Sequence, residues 1–167
     1  MADRTIEYML VDDLVAASTN PKAHDVPLID RSMERFGYTA PIEIDERTGR
    51  LVSGHGRVET LQERQRSGRD APDGVRVEDG RWLVPVVRGW ASENDDEAEA
   101  YLITANRTPE AGGWHDDILA SMLERITTTP LGLDGIGYTD DDLAELLVHV
   151  NAYDRQAPSE VDPDDVP

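Results

Sequence analysis

Leu51-Val52-Ser53-Gly54-His55-Gly56-Arg57 is an apolar pair that stops at a glycine turn, with a helical pattern following from Val58 to Arg66. A strand that runs into glycines at a helix N-terminus leaves several backbone N–H groups unpaired and pointing the same way. Such a turn binds phosphate, because the amides donate hydrogen bonds and the helix dipole favours negative charge. Arg57, in the first helical turn, is placed to add a bidentate contact to phosphate oxygens. His55 is placed to donate to the same anion or to move a proton. The competing reading, of equal weight on these seven residues alone, is an ordinary strand-to-helix connection whose glycines only permit positive φ.

Upstream, Ala40-Pro41-Ile42-Glu43-Ile44-Asp45 alternates with period two and is followed by the turn-like Glu46-Arg47-Thr48-Gly49. With Leu51-Val52 this predicts a hairpin. Asp25 and Pro27 open a helix over 26–36, with Leu28, Ile29, Met33 and Phe36 as its apolar stripe and Gly37 as its stop. Asn20-Pro21-Lys22 reads as a turn, and residues 5–17 as a short strand or helix. Downstream, Asp73-Gly74 and Asp79-Gly80 bracket two strands, Val75–Val77 and Arg81–Val87. Pro85 makes the second an edge strand, or sits where no ladder bond is needed. Asp95–Ala105 is helix-prone, with Ala98, Leu102 and Ala105 on one face. Pro109-Glu110-Ala111-Gly112-Gly113 marks a boundary, and acidic amphipathic helices follow at 114–126 and 139–150. Asp116-Asp117 and Asp140-Asp141-Asp142 fall in their first turns, where the dipole favours acids. Three segments are expected: 1–110, a helical extension over 111–150, and a disordered tail over 151–167.

Charge narrows the function. The chain has 167 residues, 38% of them hydrophobic, and a formal net charge of −19. Residues 22–88 are neutral overall, whereas 89–167 carry three arginines against nineteen acids. Any anionic ligand therefore belongs in the 22–88 block, and the net charge argues against duplex DNA held through phosphate contacts. Cysteine is absent, which excludes disulfides, thiolate zinc sites and cysteine nucleophiles. Lys22 is the one lysine, so no Walker A loop exists. No apolar run is long enough for a membrane span. Met1–Leu10 carries Asp3 and Glu7 without an apolar core, so no secretory signal is expected.

Other constellations carry less. His24-Asp25, His115-Asp116-Asp117 and His149 have no metal-ligand spacing, and His115 reads better as a helix start. Glu43, Asp45 and Glu59 are the candidate carboxylates of a nuclease, with Glu59 close enough behind the glycine turn to act as a base. Trp82, Trp90 and Trp114 are expected to pack in the core or between domains.

Taken in order, these pieces resemble the ParB/sulfiredoxin superfamily, in particular the stand-alone ParB-like N-terminal domain of phages and mobile elements, often called a ParB-like nuclease domain. Asn20-Pro21-Lys22 is similar to the family's Asn-Pro-Arg/Lys, and Pro41-Ile42-Glu43-Ile44 to its Pro-Ile-x-Val strand. Leu51–Arg57 resembles the glycine and arginine box, Val84-Pro85-Val86-Val87 the strand after it, and Ala105-Asn106-Arg107 the Asp-Asn-Arg segment. The likeness spans about residues 5–110. It implies an α+β fold, a small mixed sheet flanked by helices, with the acidic helical extension added. It also implies a nucleoside triphosphate, CTP or ATP, held with Mg²⁺, and hydrolysis or phosphoryl transfer in a DNA-related process. Carried over residue by residue, Lys22, Ser53, Gly54, His55, Gly56, Arg57 and Arg107 would bind the nucleotide. Asn106 would bind the metal, and Glu59 and His55 would be the catalytic candidates. The partners implied are the nucleotide, DNA or a DNA-processing protein, and a second copy in a homodimer, in the cytoplasm of a bacterial or phage-infected cell. Ala105 stands where the family has an acid, which weakens the case for hydrolysis. The alternatives are a ParB-like DNA nuclease, and a non-enzymatic acidic protein that binds a basic partner or mimics DNA.

Overall fold

The computed structural model describes residues 3–156. The chain divides between Gly113 and Trp114 into two compact units. The first contains, in chain order, β1 (Thr5–Leu10), α1 (Val26–Phe36), β2 (Ile42–Asp45), β3 (Arg50–Ser53), α2 (His55–Arg66), β4 (Arg76–Glu78), β5 (Arg81–Trp90) and α3 (Asp95–Ala111). The strands form one mixed sheet in the order β1-β5-β2-β3, with β4 also on β5. β2 and β5 are parallel, and the other pairings are antiparallel. The architecture is the expected α+β one.

Local chemistry sets these elements. The Asp25 carboxylate accepts from the Leu28 N–H at 2.9 Å and caps α1, and Pro27 lies in the first turn. Gly37 ends the helix, its N–H bonding to the Met33 carbonyl at 2.9 Å. Asp79 and Gly80, both at positive φ, make the two-residue connection between β4 and β5, the geometry a right-twisted hairpin favours. Ile42, Ile44, Leu51, Leu61, Val84 and Val86 are buried in one core with Val11, Met33 and Val58. Full burial of each such side chain stabilises the fold by about 1.5–3 kcal/mol. Phe36, expected on the apolar stripe, is instead 51% exposed at the helix end, with the Arg35 guanidinium over its ring.

β5 is not an edge strand. It lies between β1 and β2, and Pro85 pairs with Tyr8 of β1. On the opposite side β4 reaches only to Leu83 and β2 begins at Val86. Pro85 falls in the gap between them, where no partner needs its missing N–H.

α3 also exceeds its expected span. It continues past Ala105 and through Pro109 to Ala111. Behind the sheet, α1 and α2 are joined by buried Arg64. Its guanidinium bonds Asp30 at 2.6 Å, Glu34 at 3.2 Å and the Asp70 carbonyl at 3.3 Å. Asp45 is fully buried and accepts from the Ser92 N–H and hydroxyl at 2.9 and 2.8 Å and from the Thr48 hydroxyl at 2.9 Å. That network holds the β2–β3 turn against the start of α3.

The second unit is built from α4 (Asp116–Thr127) and α5 (Asp140–Gln156), with Ala120, Leu123 and Leu143 buried. His115 is the N-cap residue of α4. Thr139 and Asp142 cap α5 reciprocally, at 3.1 and 2.7 Å, as in a capping box. Trp114 is 72% exposed, its ring edge-on to Tyr138 at 6.5 Å, and so is not a core residue of this unit. α5 extends to Gln156, into the stretch expected to be a disordered tail from Asn151; the remainder of that stretch lies outside the described residues. Among the described residues no helix is long and apolar enough to cross a membrane.

Candidate functional site

The junction between β3 and α2 has the anticipated shape. Gly54 sits at φ +95° and ψ 12° as the N-cap of α2, and no side chain caps the helix. The first-turn amides are thus left without a side-chain acceptor, the condition for anion binding at a helix start.

The flanking residues have more specific jobs than a phosphate cradle requires. His55 is buried, and its Nε2 accepts from the Ala17 N–H at 3.1 Å. Its proton therefore resides on Nδ1 in the neutral ring. Burial, and then the neighbouring His24, hold its pKa below the usual histidine value. The two imidazoles lie parallel at 6.5 Å. Gly56 is required by packing: a Cβ there would stand 2.8 Å from Ile29 Cδ1 and 2.9 Å from the His24 ring. Arg57 Nη2 donates to the Pro41 carbonyl at 2.9 Å. Its Nε is buried with no hydrogen-bond partner, as is the Tyr38 hydroxyl. Burial pushes the Tyr38 phenol above its usual pKa, and the Arg57 charge opposes that rise.

Beside the junction runs a cleft made of two adjoining hollows of about 270 and about 500 Å³. Both are lined by Thr19, Glu99 and Leu102. Arg50, Leu51 and Val52 floor the first, and Asn20, Pro21 and Ile103 close the second. Val52 connects the cleft to Ser53 and Gly54 along the chain, and Ala17 connects it to His55 through the hydrogen bond above. One wall is stitched to β3: the Leu51 N–H bonds the Val15 carbonyl and Arg50 bonds the Ala16 carbonyl, both at 2.9 Å. The other wall is α3, reached by the Lys22–Glu110 ion pair and by Thr19 Oγ1 to Glu99 at 3.4 Å. Asn20 forms the corner, accepting from the Lys22 N–H and meeting His24 Nε2, each at 3.1 Å.

The sequence-derived candidates separate on this geometry. Ser53, Gly54, His55, Gly56 and Arg57 come together at the junction, and Lys22 stands at the cleft wall. Asn106 lies one turn beyond Leu102 on α3; its Nδ2 donates to the Leu102 carbonyl at 2.9 Å, which leaves Oδ1 available. Arg107 is exposed on the same helix, and Glu59 is exposed on α2. The carboxylates considered for a nuclease do not converge. Glu43 accepts from the Tyr101 hydroxyl at 2.6 Å, and Asp45 is enclosed by Ser92 and Thr48. Among the described residues no three His, Asp or Glu side chains gather as a metal site would need. Thr19, Arg50, Glu99 and Ile103 escaped sequence reasoning. Their one available signal was the helical spacing of Glu99, Leu102 and Ile103, which pattern alone assigns to packing.

No protein-family model matches the sequence, and no curated protein matches it. Solved structures do. The chain is similar to the C-terminally truncated chromosome-partitioning protein ParB of Caulobacter crescentus, crystallised with CTP-γ-S, at 14% identity and a TM-score of 0.49, over 86% of this chain and 71% of that one. It is also similar to a Pnob8-like ParB-N domain, at 13% identity and a TM-score of 0.42, over 93% of this chain and 65% of that one. The likeness is one of fold.

Proposed function

We propose that the cleft binds a nucleotide, with its polyphosphate at the uncapped start of α2 and its base and sugar along Thr19–Pro21 and α3. The observation that carries this reading is the left-handed Gly54 joining an uncapped helix N-terminus to a cleft of ligand size. Pockets of about 300–1,000 Å³ hold small ligands. Pro21, Leu102 and Ile103 supply apolar surface for a base, while Arg50, Arg57, Lys22 and Arg107 supply positive charge around the phosphates. The sequence resemblance directs the choice toward CTP or ATP. Mg²⁺ suits the donor set: it keeps waters and phosphate oxygens and takes few protein ligands, and Asn106 Oδ1 is free to serve as one. The metal would neutralise charge between phosphates. The chain's own part is to fix the phosphate chain with backbone amides and to keep the base against α3. The nuclease reading has less support, because Glu43 is bonded to Tyr101 of α3 and Asp45 is enclosed by Ser92 and Thr48.

Calorimetric titration with CTP, ATP, ADP and GTP, each with Mg²⁺, tests this. Micromolar binding of at least one is expected, weakened about ten-fold or more by Ile103→Glu, which places a carboxylate beside the base without touching the core. Absence of heat with all four, together with no change in melting temperature at millimolar nucleotide, would overturn it.

A further inference from the structure

One edge of the sheet is β1. It pairs with β5 on one side, and no described strand pairs with the other. Register fixes which of its backbone groups face outward. Tyr8 stands opposite Pro85, and proline has no N–H, so the two cannot exchange a pair of bonds. The exchanged bonds therefore fall at Thr5, Glu7 and Met9, and the amides and carbonyls of Ile6, Tyr8 and Leu10 point along the open edge. The Gly89 N–H agrees with this parity: four residues on from Pro85, it bonds Glu46, just beyond β2, at 2.7 Å.

Exposed edges are ordinarily blunted by lysine, proline or a bulge. β1 reads Thr5-Ile6-Glu7-Tyr8-Met9-Leu10 and has none of these. Its single charge, Glu7, is drawn back to Arg88 at 3.1 Å. Ile6 and Tyr8 are 62% and 42% exposed. On their face of the sheet Ile6 pairs with Val87, Tyr8 with Pro85 and Leu10 with Leu83, a row of apolar cross-strand pairs, and the Arg76 guanidinium lies over the Tyr8 ring at 3.8 Å.

We propose that β1 of a second copy of this chain pairs antiparallel with this edge about a two-fold axis through Tyr8, joining the two sheets into one. The strand is complementary to itself in that register: Tyr8 meets Tyr8, Ile6 meets Leu10, and Glu7 meets Met9. An axis through Glu7 would set two carboxylates face to face, which is unfavourable. An axis through Met9 would bring Glu7 opposite Val11, where the strand has already turned into a 3₁₀ segment. The contact is isologous and closed, so it stops at two copies. It consists mainly of backbone bonds and apolar side chains, with Glu7 paired to Arg88 within its own chain, between chains of net charge −19, and added salt therefore strengthens it by screening their repulsion.

Because the chain has no cysteine, single cysteines in the full-length protein report the register directly. The wild-type chain is expected to sediment as a monomer–dimer equilibrium whose dimer fraction rises between about 0.05 and about 0.5 M salt. Tyr8→Cys is expected to form an intermolecular disulfide under mild oxidation about ten-fold or more faster than Ile6→Cys. Only residue 8 meets its own copy, at the ~5.5 Å Cα separation of a bonded pair, which a disulfide spans. Tyr8→Pro removes an amide that serves only the open edge, so it should abolish the dimer with circular dichroism near wild type and a melting temperature lowered no further than that of Tyr8→Ala, which loses the same ring contact with Arg76 but keeps the amide. A monomer at both salt concentrations overturns the proposal, even if the edge binds another protein's strand. Equal cross-linking at positions 6 and 8, or a dimer that survives Tyr8→Pro in a folded chain, overturns it as well.

Discussion

Gly54 occupies a backbone conformation that a side chain rarely adopts, and a Cβ there would lie 3.0 Å from Ile42 Cγ1 and 3.1 Å from Arg57 Nη2. Gly54→Ala should cost about 1–2 kcal/mol of stability from the left-handed backbone alone, read as a lower urea midpoint with an unchanged slope. It should also disturb the Arg57 bond to Pro41. This turn was legible because glycine preference is a local property of the chain. The direction of Arg57 and the partner of His55 were not. Ala17 lies 38 residues from His55, and no local pattern says which distant segment will cover a histidine. The same holds for Gly56, which reads as part of a phosphate loop but is needed because His24 and Ile29 press against it.

Between elements, the most concentrated polar interaction is the one that locks α1 to α2. Arg64 is 6% exposed and reaches Asp30 and Glu34, which Arg69 also engages from the exposed side. Removing one member of a buried ion pair leaves an uncompensated charge. Arg64→Met should therefore destabilise the chain by about 2–4 kcal/mol, whereas Arg69→Met, at the solvent-exposed end, should cost less than about 1 kcal/mol. Chemical denaturation of the two variants checks the order. At this scale the sequence was informative wherever period and cap agreed, as in α1 and the β2–β3 hairpin. It was ambiguous where one residue admitted two solutions. Pro85 is compatible with an edge strand or with a gap in a central one, and the tertiary placement of β4 and β2 decides. Pro109-Glu110-Ala111-Gly112-Gly113 reads as a boundary, and the units divide at its end, after Gly113, with α3 passing through Pro109 to Ala111 and Lys22 holding Glu110.

For the molecule as a whole, several groups titrate in the same sense. Hydrogen bonds from Arg88 and the Gly89 N–H bring Glu46 down to about 2. Burial alone would raise Asp45 and Asp30, but the bonds from Ser92 and Thr48, and from Arg69 and Arg64, outweigh it and leave both below the ordinary value. His55 is also lowered, by burial and by His24. A group with a depressed pKa in the folded state contributes stability that is complete above its unfolded value and is lost as the pH falls. Stability should thus decline first below the ordinary histidine value of 6.5 and again from about 4.5 toward 2. Urea midpoints measured from pH 7 to 3 check this, and His55→Gln should remove the first decline while sparing the second. Pro109 bears on the cleft wall in a further way. With no N–H to offer the Ala105 carbonyl, it breaks the hydrogen-bond ladder of α3 two residues before the helix ends. Glu110 thus lies on the far side of that break, so the Lys22 ion pair fastens the Asn20–Lys22 turn to the loosest turn of α3 and not to the wound turns bearing Glu99 and Leu102.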